Sequence, residues 1–186
     1  MRTEQQWLEK GFAEATNNLP KRIANDLKTL HARHSEKELP SIGSYYIQGP
    51  IGSGKTILAA RIAMKAKHEI FLNPPEKKTE ILFTTVPEFL FGVQDTYNSR
   101  NISTAEVIDR FCDAHLLILD DLGAERTTDW AMSVLYLLIN RRYEAMKHTI
   151  FTSNLSLAEL AEKLGDERVP GRIERMCTVI EKKSYD

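Results

Sequence analysis

The sequence predicts an α/β fold, a parallel sheet with helices on both of its faces. Three observations carry that prediction. Strand-like and helix-like segments alternate along the chain. The apolar run "HLLILD" suits an inner strand buried on both faces. The stretch "YIQGPIGSGKTILAARIA", residues 46–63, passes from an apolar strand through a glycine-rich turn into a helix.

A chain of 186 residues suits one globular core without the help of metals or disulfides. Residues 1–43 read as a helical N-terminal extension with a connector, and 44–186 as the core domain. Hydrophobic residues make up 42% of the chain, which excludes wholesale disorder. Acidic and basic residues nearly cancel, 26 against 25, so net charge gives no sign of a nucleic-acid partner. A local basic patch, or a pore assembled from several subunits, stays open. Cys112 and Cys177 have no metal-ligand spacing and read as buried thiols of a reducing compartment. The opening "MRTEQQWLEKGF" lacks an apolar core of signal-peptide length, and no apolar run approaches a membrane span. The expectation is a cytoplasmic protein with no membrane partner.

Residues 4–34 read as helical, broken at "NNLPKR", where Asn18 or Leu19 ends one helix and Pro20 begins another. The polar "HSEKELPSIGS" is a connector. "YYIQG" is a short strand, and residues 55–68 continue as a helix with apolar Ile57, Leu58, Ile62 and Ala66. A loop with "NPPEKK" precedes the strand "ILFTT". Thr85 caps the next helix, with Pro87 near its first turn. Ser103 and Glu106 form a capping box that opens another helix. After "HLLILD" a long helix covers about 129–147, followed by the strand "TIFTS". A second capping box, Ser156 to Glu159, starts a helix that stops near Gly165.

The chemistry starts in the glycine-rich turn. Gly49, Pro50, Ile51, Gly52, Ser53, Gly54, Lys55 and Thr56 spell G-x-x-x-x-G-K-T, the phosphate-binding loop pattern, between a strand and a helix as that pattern requires. Backbone amides from about Gly52 to Thr56 cradle phosphates at a helix N-terminus. Lys55 offsets charge on the β and γ oxygens of ATP, and the Thr56 hydroxyl ligates Mg²⁺. The run "LLILDD" then ends an apolar strand in two carboxylates. Asp120 holds or orients the metal shell. Asp121 accepts a proton from the attacking water or polarises it. The strand "TIFTSN" ends in Asn154, whose amide holds the water that attacks the γ-phosphate. Without these neighbours, Asp120 and Asp121 would read as a solvated turn and Asn154 as a turn residue.

The order of these motifs, with the wording of "LLILDDLGAERTTDW", "TIFTSNLSLAEL" and "ERVPGRIERMC", resembles the helicase-loader branch of the AAA+ ATPases. These are the DnaC and DnaI type, with the transposition helper IstB close by. The resemblance covers roughly residues 44–181. It implies a P-loop NTPase of AAA+ type with a five-stranded parallel sheet. It implies an ATPase that loads a replicative hexameric helicase onto single-stranded DNA and self-associates into a ring or helical oligomer. Asn154 matches the sensor 1 position, and Arg172 the arginine finger that acts on a neighbouring subunit's nucleotide. Asp120-Asp121 departs from the more frequent Asp-Glu, and one fewer methylene shortens the reach to water, which predicts slow turnover. A sensor 2 arginine is expected after a motif like "KKSYD", and the residues given end at Asp186 before one. The first 43 residues show no zinc-ligand pattern, so helicase docking falls to them or to the core itself.

Weaker features take the plainer reading. "YNSRNIS", 97–103, lies where initiators and loaders carry an extra helix; Arg100 is placed in a solvated loop ahead of a DNA channel. Arg141 and Arg142 end a helix where cations favour the dipole. Trp7, Phe12 and Trp130 are assigned to packing ahead of base stacking. The alternatives are an IstB-type transposition helper, a P-loop nucleotide kinase, for which no arginine-rich lid follows the acidic strand, and an adaptor that binds ATP without hydrolysing it.

Overall fold

The computed structural model describes residues 21–23, 40–72, 79–98, 103–125 and 128–183. The break at "NNLPKR", the loop "NPPEKK", Arg100, Trp7 and Phe12 lie outside the described residues. So does most of the N-terminal helical reading, although residues 21–23 are helical and Ile23 packs beside Ala60.

Five strands are described: β1 Tyr45–Gln48, β2 Ile81–Thr85, β3 Leu116–Asp120, β4 His148–Ser153 and β5 Thr178–Glu181. They form one sheet in the order β2-β3-β4-β1-β5, and every pairing is parallel. The helices are α1 Lys55–Leu72, α2 Val86–Asp95, α3 Thr104–Asp113, α4 Asp129–Glu144, α5 Leu157–Leu164 and α6 Arg168–Met176. A short 3₁₀ turn, Thr96–Asn98, follows α2.

Strand β3 explains why its sequence is apolar without a break. Leu116 and Ile118 face α1, together with Ile47 and Ile150, and meet Ala59, Ile62, Ala63 and Ala66. Leu117 and Leu119 face the other way, with Tyr46 and Phe151, into a core built by α2, α3, α4, α5 and α6. All five residues of β3 are buried. Each such Leu or Ile contributes roughly 1.5–3 kcal/mol relative to exposure. The small alanines of α1 let the helix lie close over β1, β3 and β4.

The helix starts follow the expected chemistry. Thr85 caps α2, and its capping box is completed by Glu88. Ser103 with Glu106 and Ser156 with Glu159 form the other two boxes. Helix α5 ends at Gly165. Helix α4 stops at Glu144, short of the expected 147, because Met146 turns left-handed at φ 50° and His148 already begins β4. Cys112 is buried, whereas Cys177 is only half-buried, a correction to the reading of both as core thiols. Among the described residues no helix is long and apolar enough to cross a membrane.

Candidate nucleotide site

The sheet order brings the site together. With β4 between β1 and β3, the carboxyl ends of these three strands lie side by side, where open α/β sheets form their crevices. The loop after β1 carries Lys55, the end of β3 carries Asp120, and the residue after β4 is Asn154.

Gly49 begins the loop at φ 149°, and a Cβ there would meet the Lys182 carbonyl oxygen at 2.2 Å. Its N–H donates to the Ser153 carbonyl at 3.2 Å, so the loop leaves β1 pressed between β4 and the chain after β5. Only glycine permits that passage. Lys55, 6% exposed, folds back over the loop. Its Nζ donates to the carbonyls of Gly49 and Pro50, both at 2.8 Å, and to Asn154 Oδ1 at 2.7 Å. Burial pulls the Lys55 pKa below the ordinary lysine value, and the charges of Asp121 and Asp120 oppose that pull. The buried Ser53 Oγ has no hydrogen-bond partner among the described residues.

Thr56, in the first turn of α1, donates its hydroxyl to Asp120 Oδ2 at 3.1 Å. Burial pushes the Asp120 pKa up, and hydrogen bonds from Thr152 and Thr56 hold it back. A hydroxyl and a carboxylate in contact are hard oxygen donors of the kind Mg²⁺ takes alongside water and substrate phosphates. No cluster of three or more His, Cys, Asp or Glu side chains that could hold a metal ion occurs among the described residues. Asp121 follows at φ 59°, a left-handed conformation rare outside glycine, and its carboxylate acts on both Lys55 and Asp120.

Lys55, Thr56, Asp120, Asp121 and Asn154 therefore converge. Arg172 does not join them. It lies on α6 with its guanidinium 4.6 Å over the ring of Tyr136, donating to the Tyr136 hydroxyl at 2.8 Å and to Asn140 Oδ1 on α4. Asp166 pairs instead with Arg168, at 2.6 Å.

Thr152 and an open cleft escaped the sequence reading, and Glu125 entered it only as the nearest alternative to Asp121 for the catalytic role. Thr152 donates to Asp120 Oδ1 at 2.6 Å and accepts from the Asp121 N–H at 3.0 Å. No local pattern marks it, because β4 also carries His148, Thr149 and Ser153. Glu125 is buried, with Oε2 accepting from the Gly123 N–H at 2.9 Å and Oε1 unpartnered among the described residues. Burial pushes its pKa up, against the backbone hydrogen bonds and Lys163. Glu125 borders a cleft of about 320 Å³ walled by Pro87, Leu90, Phe91 and Trp130. Phe91 is 71% exposed, and Trp130 Nε1 donates to the Tyr97 hydroxyl at 2.8 Å, so Trp130 is a cleft wall as well as a packing residue.

Comparison with known proteins agrees with this geometry. A family model described as IstB-like ATP binding protein matches residues 4–183. The replicative helicase loader DnaI of Bacillus subtilis is 27% identical over 161 residues, 86% of this chain and 49% of that protein. The phage-like element PBSX protein XkdC of the same organism is 29% identical over 140 residues, 73% of this chain and 48% of that protein. The chain thus spans about half the length of the curated relatives it matches. The crystal structure of the DnaC helicase loader has a TM-score of 0.62 at 26% identity, covering 88% of this chain and 89% of that one. AMPPCP-bound DnaA from Aquifex aeolicus, at 0.62 and 19% identity over 85% of this chain and 46% of that one, shares the fold. The fold is that of the AAA+ P-loop ATPases.

Proposed function

Because the chain belongs to the family of IstB-like ATP-binding proteins, we propose that it hydrolyses ATP to drive the loading of a replicative hexameric helicase onto single-stranded DNA. One observation supports this reading above the others. Lys55, Asp120 and Asn154, far apart in sequence, meet on one sheet edge, with Lys55 hydrogen-bonded to Asn154 at 2.7 Å.

Residues Gly49 to Thr56 receive the triphosphate, and Lys55 exchanges its loop carbonyls for β and γ oxygens. That exchange frees the Asn154 amide to hold a water in line with the γ-phosphorus. The water oxygen forms the new bond to phosphorus while the bond to the β–γ bridging oxygen breaks. Asp121 takes the water's proton, and ADP and inorganic phosphate are the products. Mg²⁺ belongs at the Thr56 hydroxyl beside Asp120 and supplies positive charge to the phosphate oxygens. Arg172 completes the site of a neighbouring subunit in a ring or helical oligomer. Its present partners, a tyrosine, an asparagine and a backbone carbonyl, are neutral and can be exchanged for phosphate.

The exposed rings of Phe91, at the cleft, and Tyr97, bonded to Trp130 beside it, offer stacking faces for unpaired bases. Helicase docking falls to residues 1–43 or to the core itself. The family description also favours a second reading, an IstB-type transposition helper that assembles on duplex DNA.

The test joins phosphate release, with and without single-stranded DNA, to capture of binding partners from an extract of the source organism. The expected outcome is DNA-stimulated release and recovery of a hexameric helicase with ATP and not with ADP. Asp121→Asn should still bind a fluorescent ATP analogue while phosphate release falls by about 10²-fold or more. No helicase, together with ATP-dependent filaments on duplex DNA, selects the second reading. Nucleotide binding without release selects the adaptor.

A further inference from the structure

We propose that Thr152 is a positioning residue for both aspartates of the nucleotide site, so that one hydroxyl on β4 sets the metal-facing oxygen of Asp120 and the turn that presents Asp121. This rests on the nucleotide-site reading above and concerns a residue that no motif in the chain singles out.

Thr152 is wholly buried, one residue past the pairing of Phe151 with Leu119 and opposite Ile47 on β1. A hydroxyl at such a place must find partners or destabilise the core. It finds two, and both belong to the acidic pair. Its proton goes to Asp120 Oδ1 at 2.6 Å. That bond fixes the carboxylate's rotation and leaves Oδ2 turned to Thr56, at 3.1 Å. A lone pair of the same oxygen accepts the Asp121 N–H at 3.0 Å. The backbone on either side tightens the arrangement. The Leu122 N–H donates to the Thr152 carbonyl at 2.8 Å, and Ser153 Oγ donates to the Leu122 carbonyl at 2.7 Å.

The second bond matters because Asp121 stands at φ 59°. A left-handed residue with a side chain is strained and persists only where its surroundings over-determine it. Thr152 and Ser153 supply that constraint from the neighbouring strand. A carboxylate held by its outer partners binds metal in one orientation, and loss of such partners typically costs about 10–100-fold in affinity or activity.

Thr152→Val keeps the β-branched shape and removes the hydroxyl; Thr152→Ser keeps the hydroxyl and removes a methyl. Binding of a fluorescent ATP analogue is titrated with Mg²⁺, beside steady-state phosphate release and melting temperature. For the valine variant, half-saturating Mg²⁺ should rise about tenfold or more and kcat fall at least as far, with KM and metal-free binding changed by about threefold or less. The serine variant should return both affected quantities to within about threefold of the parent. A valine variant with the parent's Mg²⁺ response and kcat overturns the assignment. So does a serine variant as impaired as valine, because the lost methyl would then be the cause. Should valine not fold, Thr152→Cys takes its place: a thiol fills the space but donates weakly, and the same split is expected. A parent that binds no analogue overturns the nucleotide site and this inference together, whereas a responsive parent with unaffected Thr152 variants overturns the inference alone.

Discussion

Two cations are buried at opposite edges of the sheet, and neither is ion-paired among the described residues. Lys55 sits at the carboxyl edge, held by two loop carbonyls and the amide of an exposed asparagine. Arg142 sits at the amino edge, fully buried. Its Nη1 donates to the carbonyls of Phe111, Cys112 and Ala114 at 2.7–3.0 Å, its Nη2 to that of His148 at 2.5 Å, and its Nε to Thr149 Oγ1 at 2.9 Å. Those carbonyls include the unpaired ones at the end of α3, where the helix dipole also favours positive charge. Burial lowers the Arg142 pKa to about 10, which leaves it charged at neutral pH. The difference teaches what makes a buried charge a site. The rigid guanidinium is held by four backbone carbonyls and a buried hydroxyl, so it ties α3, α4 and β4 together. The flexible ammonium has partners it can exchange, in a loop where the Ser53 hydroxyl has none among the described residues.

Arg172 is the largest test of this distinction, since its partners are neutral and its role is assigned to a neighbour's phosphate. Arg172→Ala should lower phosphate release by about 10³-fold, the effect of known fingers. Mixing it with equally inactive Lys55→Ala should restore part of the activity, because some junctions then pair an intact loop with an intact arginine. Full activity of Arg172→Ala alone would move it to the class of fixed cations.

Next comes the buried pair itself. Arg142→Met should destabilise the fold by about 3 kcal/mol, measured by urea unfolding, because several carbonyls lose their donor at once. Lys55→Ala should leave stability nearly unchanged and abolish most MgATP affinity. Similar stability losses in the two variants would erase the contrast.

The smallest effect concerns His115 and His148, whose rings meet edge to face beside Arg142. Burial pushes both below the ordinary histidine value of 6.5; His148 adds to this at His115, and the charge of Arg142 adds at both. The folded state thus keeps them neutral while the unfolded chain takes up protons, so stability is lost as pH falls below 6.5. His148→Gln should reduce that loss by about 2 °C in Tm at pH 5.5, with no change in nucleotide affinity. An unchanged pH slope would show that His148 is not held below the ordinary histidine value in the folded state.

Much of the carboxyl edge was legible because its chemistry is local: a glycine-rich turn, two adjacent carboxylates and an asparagine after a strand. The amino edge was not. Arg142 reads as the basic end of its own helix, but three of its partners are carbonyls at and just past the end of α3, roughly 30 positions earlier, which no local pattern reveals. Arg141 likewise pairs with Asp109 rather than simply facing its helix end. Thr152 acquires meaning only when sheet order sets β4 against β3. The α/β class survived these omissions because it rests on alternation and on the doubly buried β3, not on any single contact.

The sheet order also sets when the site can exist. Strand β1 pairs only with β4 and β5, so Tyr45 meets Ile150 and Thr178 across more than a hundred residues of chain. Strands β2 and β3 are closer neighbours in sequence and pair with each other. During synthesis the phosphate loop therefore hangs from an unpaired strand until residues 148–153 and 178–181 have emerged. Contacts of such separation form slowly. ATP, which recognises only the finished edge, then adds its binding energy to the last step of folding, closing β1 between its two late partners.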